Sequence, residues 1–143
     1  MANISKDKLI EHLNADLASE YQAVIMYTTY AAAVSGPHRP ALRQFFQAEI
    51  PDELGHAQFL ADKIVSLGGA PTMTPVSVPA ALTAREMLEN VHQAEQRAIA
   101  GYKERAEQAA AYGDKGLSTH LETMVEDETG HSEETQKILR GWQ

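Results

Sequence analysis

The sequence contains no cysteine among its 143 residues. Without thiols there are no disulfides, iron–sulfur clusters or cysteine nucleophiles, and any bound metal must be held by carboxylates and imidazoles. Long hydrophobic runs are missing too, since no stretch approaches the roughly 20 consecutive apolar residues of a membrane helix. Residues 1–10 also lack the layout of a signal peptide. We therefore expect a cytoplasmic protein that does not insert into a membrane.

Basic residues are few compared with acids. Lysine and arginine number 12 against 20 aspartates and glutamates, which gives a formal net charge of −8. Nucleic acid is a poor partner for such a chain, because phosphate backbones are held by clustered cations. The nine glycines and six prolines are too few for a disordered chain. The length suits a single domain over residues 1–143 with one core.

Hydrophobic periodicity predicts four helices, over residues 5–35, 40–68, 84–112 and 115–140. Ser5 and Asp114 are candidate N-caps, and Thr83 forms a capping box with Glu86. Glycines stand where the helices should end, before Pro37 and after Tyr112 among other places. Short turns join the first pair and the last pair, so each pair should be antiparallel.

The connection between the second and third helices is long. Residues 69–82 include Pro71, Pro75 and Pro79, which prevent helix formation. These 14 residues stretch to about 46 Å at roughly 3.3 Å each, while a helix of about 28 residues is about 42 Å long. One extended crossover can therefore return the chain along the whole bundle, which predicts an all-α four-helix bundle with a crossover rather than an up-down-up-down one.

Each predicted helix carries a glutamate in the middle of the stripe that should face the core. In the first helix the stripe comprises Leu13, Leu17, Glu20, Val24 and Tyr27, at steps of three and four residues. The equivalent polar positions of the other helices add a histidine twice. The full inward-facing polar set is Glu20, Glu53, His56, Glu95, Glu128 and His131.

Four buried carboxylates need neutralisation, because an isolated buried charge is costly and neighbouring like charges repel. Two divalent cations balance four glutamates, and two neutral imidazoles add ligands without adding charge. A Glu and a His separated by three residues also point from the same helix face. The alternative is that these residues have no metal-binding role and form ion pairs on the protein surface.

The motif occurs twice, which argues against coincidence. Glu20 and Glu53 are separated by 33 residues, as are Glu95 and Glu128, and 75 residues relate the two halves. A tyrosine follows the lone glutamate by seven residues in both halves, as Tyr27 and Tyr102. These tyrosines are candidates to bond the ligand carboxylates, although simple packing explains them equally well.

Two further residues of the second helix are unusual. Glu49 lies in phase with the stripe but has no counterpart in the other half. We therefore expect Glu49 to lie outside the group of six ligands, or to bind a metal ion only transiently. Pro51 interrupts a helix at a cost of about 3 kcal/mol, and we expect a kink or π-bulge there that re-aims Glu53.

Apolar residues also lie off the inward stripes of the first two helices. Ile10, Tyr21, Ile25, Ile50 and Phe59 suggest a second buried face. We therefore expect a homodimer packed through these two helices.

The order Glu, Glu-x-x-His, Glu, Glu-x-x-His resembles the di-iron site of the ferritin-like superfamily. From Leu13 through His131 the chain is similar to the bacterioferritin branch. The resemblance implies a ferritin-like bundle with Glu20 and Glu95 as terminal ligands, Glu53 and Glu128 as bridging carboxylates, and His56 and His131 as one imidazole per metal. It also implies that Tyr27 lies beside the ferroxidase centre.

Some positions depart from the related families. Bacterioferritin has its haem-ligating Met directly after the first bridging Glu, where this chain has Leu54, so haem is not expected. The chain ends at Gln143 without the fifth helix that helps close a 24-subunit shell, so such a shell is not expected either. Rubrerythrin carries a further Glu where this chain has Ala98, and usually a cysteine-rich segment as well. The resemblance to rubrerythrin is correspondingly weaker.

The resemblance implies a ferroxidase that oxidises Fe²⁺ with O₂ or H₂O₂ at two iron ions, for iron handling or protection against oxidants. Thiol-free ligation favours iron or manganese over copper, and zinc also fits. A di-iron or dimanganese peroxidase or catalase is one alternative, and a non-catalytic metal-binding bundle is another. An oxygenase for an organic substrate is a further hypothesis, in which Gly55 and Gly130 leave room near the ligands, although close packing of helices explains these small residues equally well.

Overall fold

The computed structural model describes residues 3–143 and contains four long helices. They are α1 (Lys6–Ala33), α2 (Arg39–Ser66), α3 (Ala84–Tyr112) and α4 (Lys115–Arg140). Every predicted helix is present, and its ends lie within two residues of the expected positions. The all-α four-helix bundle is therefore confirmed. Across residues 3–143, none of the four helices qualifies as a transmembrane segment by length and apolarity.

The helix ends are fixed by local side-chain and backbone chemistry. Ser5, Thr83 and Asp114 each accept a hydrogen bond from the backbone N–H three residues later, at 3.0–3.1 Å. These bonds satisfy amides that the first turn of a helix leaves without partners. At the end of α3, Gly113 has a φ of 100°, in the left-handed region that glycine tolerates best.

The crossover between α2 and α3 is irregular and runs beside α1 in the same direction. Gln22 donates a hydrogen bond of 2.8 Å to the carbonyl of Ser77, and the Tyr30 hydroxyl donates one of 2.6 Å to the carbonyl of Pro79. The chain therefore returns along α1 before α3 begins. Short turn, long crossover and short turn are present as predicted.

The apolar core is divided into two clusters. One surrounds Leu13, Leu60 and Leu121, and the other surrounds Phe46 and Leu88. The middle of each helix, where the predicted polar residues lie, separates the two clusters. The bundle thus has apolar packing above and below a polar layer.

The predicted inward stripe of α1 needs one correction. Val24 is only partly buried and faces an outer pocket with Ile25. A second row that includes Gln22, Met26 and Tyr30 is buried as well. The crossover lies along α1 and covers part of this row, so α1 has more than one buried face.

The second apolar face expected on α1 and α2 is only partly exposed to solvent. Ile25 is 43% exposed, whereas Ile10, Tyr21, Ile50 and Phe59 pack partly against the bundle's own core. The exposed apolar surface is therefore smaller than the sequence suggested.

Of the kink or π-bulge expected at Pro51, the π-bulge is not present. Residues Arg39–Ser66 form one continuous α-helix through this proline, and Pro51 is exposed. Glu53 therefore reaches the interior from regular α-helical backbone, without an inserted residue to re-aim it.

Candidate metal centre

The layer between the two apolar clusters is filled by polar side chains from all four helices. Glu20 comes from α1, Glu95 from α3, and the two Glu-x-x-His pairs from α2 and α4. All four glutamates are only 2–3% exposed, and the side chains of His56 and His131 are 8% and 13% exposed. The six residues selected from the sequence are thus inside the bundle and not in surface ion pairs.

The two imidazoles face the carboxylates through Nδ1. Nδ1 of His56 lies 3.5 Å from Oε1 of Glu20 and 3.3 Å from Oε1 of Glu128. Nδ1 of His131 lies 3.5 Å from Oε1 of Glu53 and 3.7 Å from Oε2 of Glu128. Glu128 therefore directs one oxygen toward each imidazole, which is the arrangement expected of a carboxylate shared by two ions.

The two tyrosines donate hydrogen bonds to the carboxylates of Glu20 and Glu95. Tyr102 donates a hydrogen bond to Oε1 of Glu20, and Tyr27 donates one of 3.3 Å to Oε2 of Glu95. Both rings are 2% exposed. Of the two explanations considered for these tyrosines, the structure shows the hydrogen-bonded one.

Two aspartates that the sequence reasoning missed contact the outer nitrogens of the imidazoles. Nε2 of His56 lies 3.0 Å from Asp127, and Nε2 of His131 lies 3.1 Å from Asp52. Each aspartate directly precedes the glutamate of the Glu-x-x-His pair on the helix opposite the histidine. The sequence signal is Asp-Glu-x-Gly-His, which occurs at residues 52–56 and again at 127–131.

Unpartnered atoms show what kind of ligand the site fits. Within residues 3–143, seven buried side-chain atoms lack a hydrogen-bond partner, and six of them belong to the six selected residues. The six are Oε2 of Glu20, Oε1 of Glu53, Glu95 and Glu128, and Nδ1 of both histidines. Each unpaired buried group costs about 1–3 kcal/mol, so their clustering at one place indicates a ligand site. Four carboxylates, two imidazoles and no thiolate suit a pair of divalent cations.

The family model of the ferritin-like domain matches residues 10–143. The chain belongs to the ferritin-like family. Bacterioferritin from Rhodobacter capsulatus is 30% identical over 125 residues, which are 87% of this chain and 78% of that protein.

Solved structures of ferritin-like proteins agree with this assignment. A ferritin-like di-iron carboxylate protein from Bacillus anthracis has a TM-score of 0.93 and 49% identity, over 95% of this chain and 99% of that one. The dodecameric thioferritin from Bacteroides fragilis, a bacterioferritin-related protein, has a TM-score of 0.85 and 26% identity, over 96% and 88% of the two chains. The predicted likeness to the ferritin-like superfamily and to bacterioferritin is confirmed. A centre for two metal ions and a role in iron handling agree with it.

A cavity of about 90 Å³ adjoins the centre of this ferritin-like chain. It lies between α1 and α3 and is lined by all four glutamates. Small residues, including Ala23, Ala98 and Gly101, form part of its wall. Space for small molecules is therefore available next to the carboxylates.

Glu49 takes the outer position expected for it. Its Oε2 lies 2.7 Å from Nε2 of His131, although this contact is not aligned as a hydrogen bond. Together with Asp52 it surrounds the outer nitrogen of His131. Glu49 thus contacts the His131 imidazole on the Nε2 side and does not belong to the six residues whose atoms face one another in the centre.

Burial is the largest cause of the raised pKa values of two carboxylates, Glu95 and Glu53. It raises the pKa of Glu95 to about 8, although contact with Thr135 opposes the shift. Burial also raises the pKa of Glu53 well above its usual range, and the charge on Glu20 adds to this effect. In the metal-free protein Glu95 therefore carries a proton near neutral pH, and burial favours the protonated form of Glu53 in the same direction.

The imidazoles are charged in the metal-free site. Burial opposes protonation of His56, but its contacts with Glu128 and Glu20 outweigh burial and raise its pKa to about 10. The pKa of His131 is raised in the same way by Glu128 and Glu49. Burial alone would raise the pKa of Glu128, yet contacts with His131 and His56 lower it to about 2. Protons therefore occupy the place that cations would take.

The expectation about the two glycines is wrong. Gly55 and Gly130 are exposed on the outside of the bundle, and a Cβ at either position would meet nothing within 4 Å. They leave no room near the ligands and allow no close helix packing. Nothing in the structure explains their repetition, and the oxygenase hypothesis loses the observation that motivated it.

Proposed function

We propose that the chain binds two metal ions in this centre. Glu20 and Glu95 are the terminal ligands, Glu53 and Glu128 the bridging carboxylates, and His56 and His131 supply one imidazole to each ion. The observation that carries this assignment is the set of six unpartnered buried atoms, one from each of these residues. The two oxygens of Glu128, directed toward different imidazoles, support its bridging role.

Iron is the metal that we propose for the centre. Carboxylate-rich ligation without thiolate suits iron or manganese, and zinc can occupy such ligands too. The similar structure from Bacillus anthracis is a di-iron carboxylate protein, and bacterioferritin is a curated relative. Both likenesses favour iron over the other two metals.

The function that this site supports best is that of a ferroxidase, with Fe²⁺ as the substrate and O₂ or H₂O₂ as the oxidant. A pair of iron ions supplies two electrons together, which avoids one-electron reduction of the oxidant. Asp127 and Asp52 accept hydrogen bonds from the Nε2–H groups of the imidazoles and so orient Nδ1 toward the metal positions. Tyr102 and Tyr27 hydrogen-bond the terminal carboxylates, and the two apolar clusters lie on either side of the layer.

Anaerobic titration with Fe²⁺, followed by addition of O₂ or H₂O₂, tests this function. We expect two irons per chain and rapid oxidation of both. Glu128→Gln should lower the stoichiometry and slow oxidation by at least about tenfold, because it removes a shared ligand. Glu126→Gln is the matched control, since Glu126 is an exposed acid on the same helix.

Each other outcome identifies a different function. Consumption of peroxide without net iron oxidation would indicate a peroxidase or catalase. Tight binding of two ions without consumption of any oxidant would indicate a non-catalytic metal-binding bundle. Absence of saturable uptake would refute the metal centre itself.

We also propose that two copies pair through α1 and α2. Leu54 is 52% exposed and Ile25 is 43% exposed, and with Met73 of the crossover they line a shallow apolar pocket. Large apolar side chains that share one exposed patch are typical of an interface. The same patch on a second copy is a suitable occupant, because a twofold axis brings identical apolar surfaces together.

A further inference from the structure

An offset of 75 residues relates the two halves of the bundle. It matches the ligands in pairs, and it also relates Asp52 to Asp127 and Tyr27 to Tyr102. All of these side chains belong to the centre or contact its ligands. On this evidence alone, the two metal positions would be equivalent.

The next layer of side chains breaks this symmetry. Asp16 of α1 and Arg105 of α3 form a buried ion pair, with Nε to Oδ2 at 2.8 Å and Nη2 to Oδ1 at 3.3 Å. They are 8% and 6% exposed. The offset relates them to Val91 and to Tyr30, whose hydroxyl bonds the carbonyl of Pro79 in the crossover. Only one half of the bundle therefore has an ion pair at this level.

The ion pair lies beside the hydrogen bond between Tyr102 and Glu20. Asp16 precedes Glu20 by four residues on α1, and Arg105 follows Tyr102 by three residues on α3. The two cross-links between these helices are therefore stacked about one helical turn apart. Asp16, Glu20 and Tyr102 also line the same cavity.

Arg105 is held on more than one side. Besides its two bonds to Asp16, its Nη1 donates to Gln108, and Oε1 of Gln108 lies 2.9 Å from Nδ1 of His12 on α1. A guanidinium held at several points by planar partners has little freedom to move. The corresponding tyrosine bond in the other half, from Tyr27 to Glu95, has Val91 and Tyr30 at this level. There the Tyr30 hydroxyl accepts a neutral hydrogen bond of 3.1 Å from Asn90 of α3, in place of an ion pair.

We propose that Asp16 and Arg105 are a positioning pair for Glu20 and make the two metal positions unequal. This inference rests on the metal centre proposed above. The position formed by Glu20 and His56 is fixed in advance and takes up its ion first. The position formed by Glu95 and His131 fills second.

Anaerobic titration with Co²⁺ tests the inference, because its visible absorption bands report ligation without any oxidant. Each position is first isolated by removing the terminal ligand of the other, with Glu95→Gln or Glu20→Gln. The pair is then replaced by neutral amides, as Asp16→Asn with Arg105→Gln. We expect Co²⁺ affinity to fall about tenfold in the Glu95→Gln chain, as is usual when a group supporting a ligand is lost. In the Glu20→Gln chain we expect no change.

Tyr30→Phe is the matched control, since Tyr30 is the counterpart of Arg105 in the other half, and it should change affinity in neither chain. Equal weakening in both chains would mean that the ion pair is only structural, and no weakening in the Glu95→Gln chain would overturn the inference. Failure of the unmodified chain to bind Co²⁺ would instead refute the metal centre.

Arg105→Lys decides the question if the neutral double variant does not fold. Lysine keeps the charge but cannot hold Asp16 at two points. Selective loss of affinity in the Glu95→Gln chain would support positioning, and unchanged affinity would overturn it. Thermal unfolding of each metal-free variant separates this selective effect from a general loss of stability.

Discussion

Around the metal centre, a hydrogen bond to one atom of Glu20, Glu95, His56 and His131 determines which other atom of the side chain remains unpaired. Tyr102 occupies Oε1 of Glu20 and leaves Oε2 unpaired, and Tyr27 occupies Oε2 of Glu95 and leaves Oε1 unpaired. The imidazoles follow the same rule, because their Nε2 atoms face aspartates while Nδ1 stays unpaired. Each of these four residues thus directs one defined atom toward the place where a cation would bind.

Replacement of Asp127 by alanine tests this rule. The loss of the acceptor frees Nε2 of His56, so the imidazole is no longer fixed in the orientation that directs Nδ1 inward. We expect metal affinity in the Fe²⁺ titration to fall about 10- to 100-fold. The Asp127 side chain is 52% exposed, so the thermal unfolding midpoint of the metal-free protein should hardly change.

Asp62→Ala serves as the control, because Asp62 is an exposed aspartate of α2 whose bonds are to residues of the same helix. Identical dissociation constants for wild type and the Asp127 variant would show that the aspartate does not orient the imidazole.

The sequence alone predicts the six inner residues and the two tyrosines that bond them, but not the aspartates that support the imidazoles or the buried ion pair. Helical periodicity assigns Asp52 and Asp127 to the outer surface, because each precedes an inward-facing glutamate by one residue, about 100° around the helix. A histidine on the opposite helix nevertheless reaches them. Asp16 and Arg105 are 89 residues apart, and a single sequence gives no indication that two such residues pair.

At the scale of the helices, local signals account for most of what the sequence predicts. Caps, glycines and prolines act within a few residues, so they place the ends of all four helices. The burial of Gln22 and Tyr30 could not be predicted in this way. What covers that face of α1 depends on the path of the crossover, which is a property of the whole fold.

The proposed pairing of two copies through the outward face of α1 and α2 can be tested by a substitution on that face. Leu54→Glu places a charge in the exposed apolar patch next to Ile25, and burying that charge in an interface is costly. We expect sedimentation velocity to show smaller species than for wild type at equal micromolar concentration. Metal content and helical circular dichroism should not change, because Leu54 points away from the centre and is half exposed.

Val65→Glu is the matched control on the same helix. Val65 is 59% exposed but does not line the patch, so its substitution should leave sedimentation unchanged. A wild-type chain that stays monomeric, or a Leu54 variant that associates as wild type does, would contradict pairing through this face.

At the scale of the whole molecule, the polar layer interrupts an otherwise continuous core. In the metal-free bundle, protons on the imidazoles and on Glu95 offset part of the buried charge of this layer. For Glu95 the folded pKa of about 8 lies above its ordinary value, so its contribution to stability is complete at acidic pH and is lost as pH rises toward 8. For His56, with a pKa of about 10, the loss occurs between its ordinary value and that pH.

The metal-bound protein should show the opposite trend. Metal ions replace these protons, so binding releases protons and strengthens as pH rises. Between pH 5.5 and 8, we therefore expect the thermal midpoint of the metal-free protein to fall while the stabilisation caused by Fe²⁺ or Mn²⁺ under anaerobic conditions grows. Glu128, whose pKa is about 2, stays ionised across this range and does not reverse either trend. Anaerobic calorimetry in two buffers of different ionisation enthalpy measures the protons released per metal. Proton release near zero, with a metal effect that is constant across this range, would mean that the cations bind elsewhere than among these buried groups.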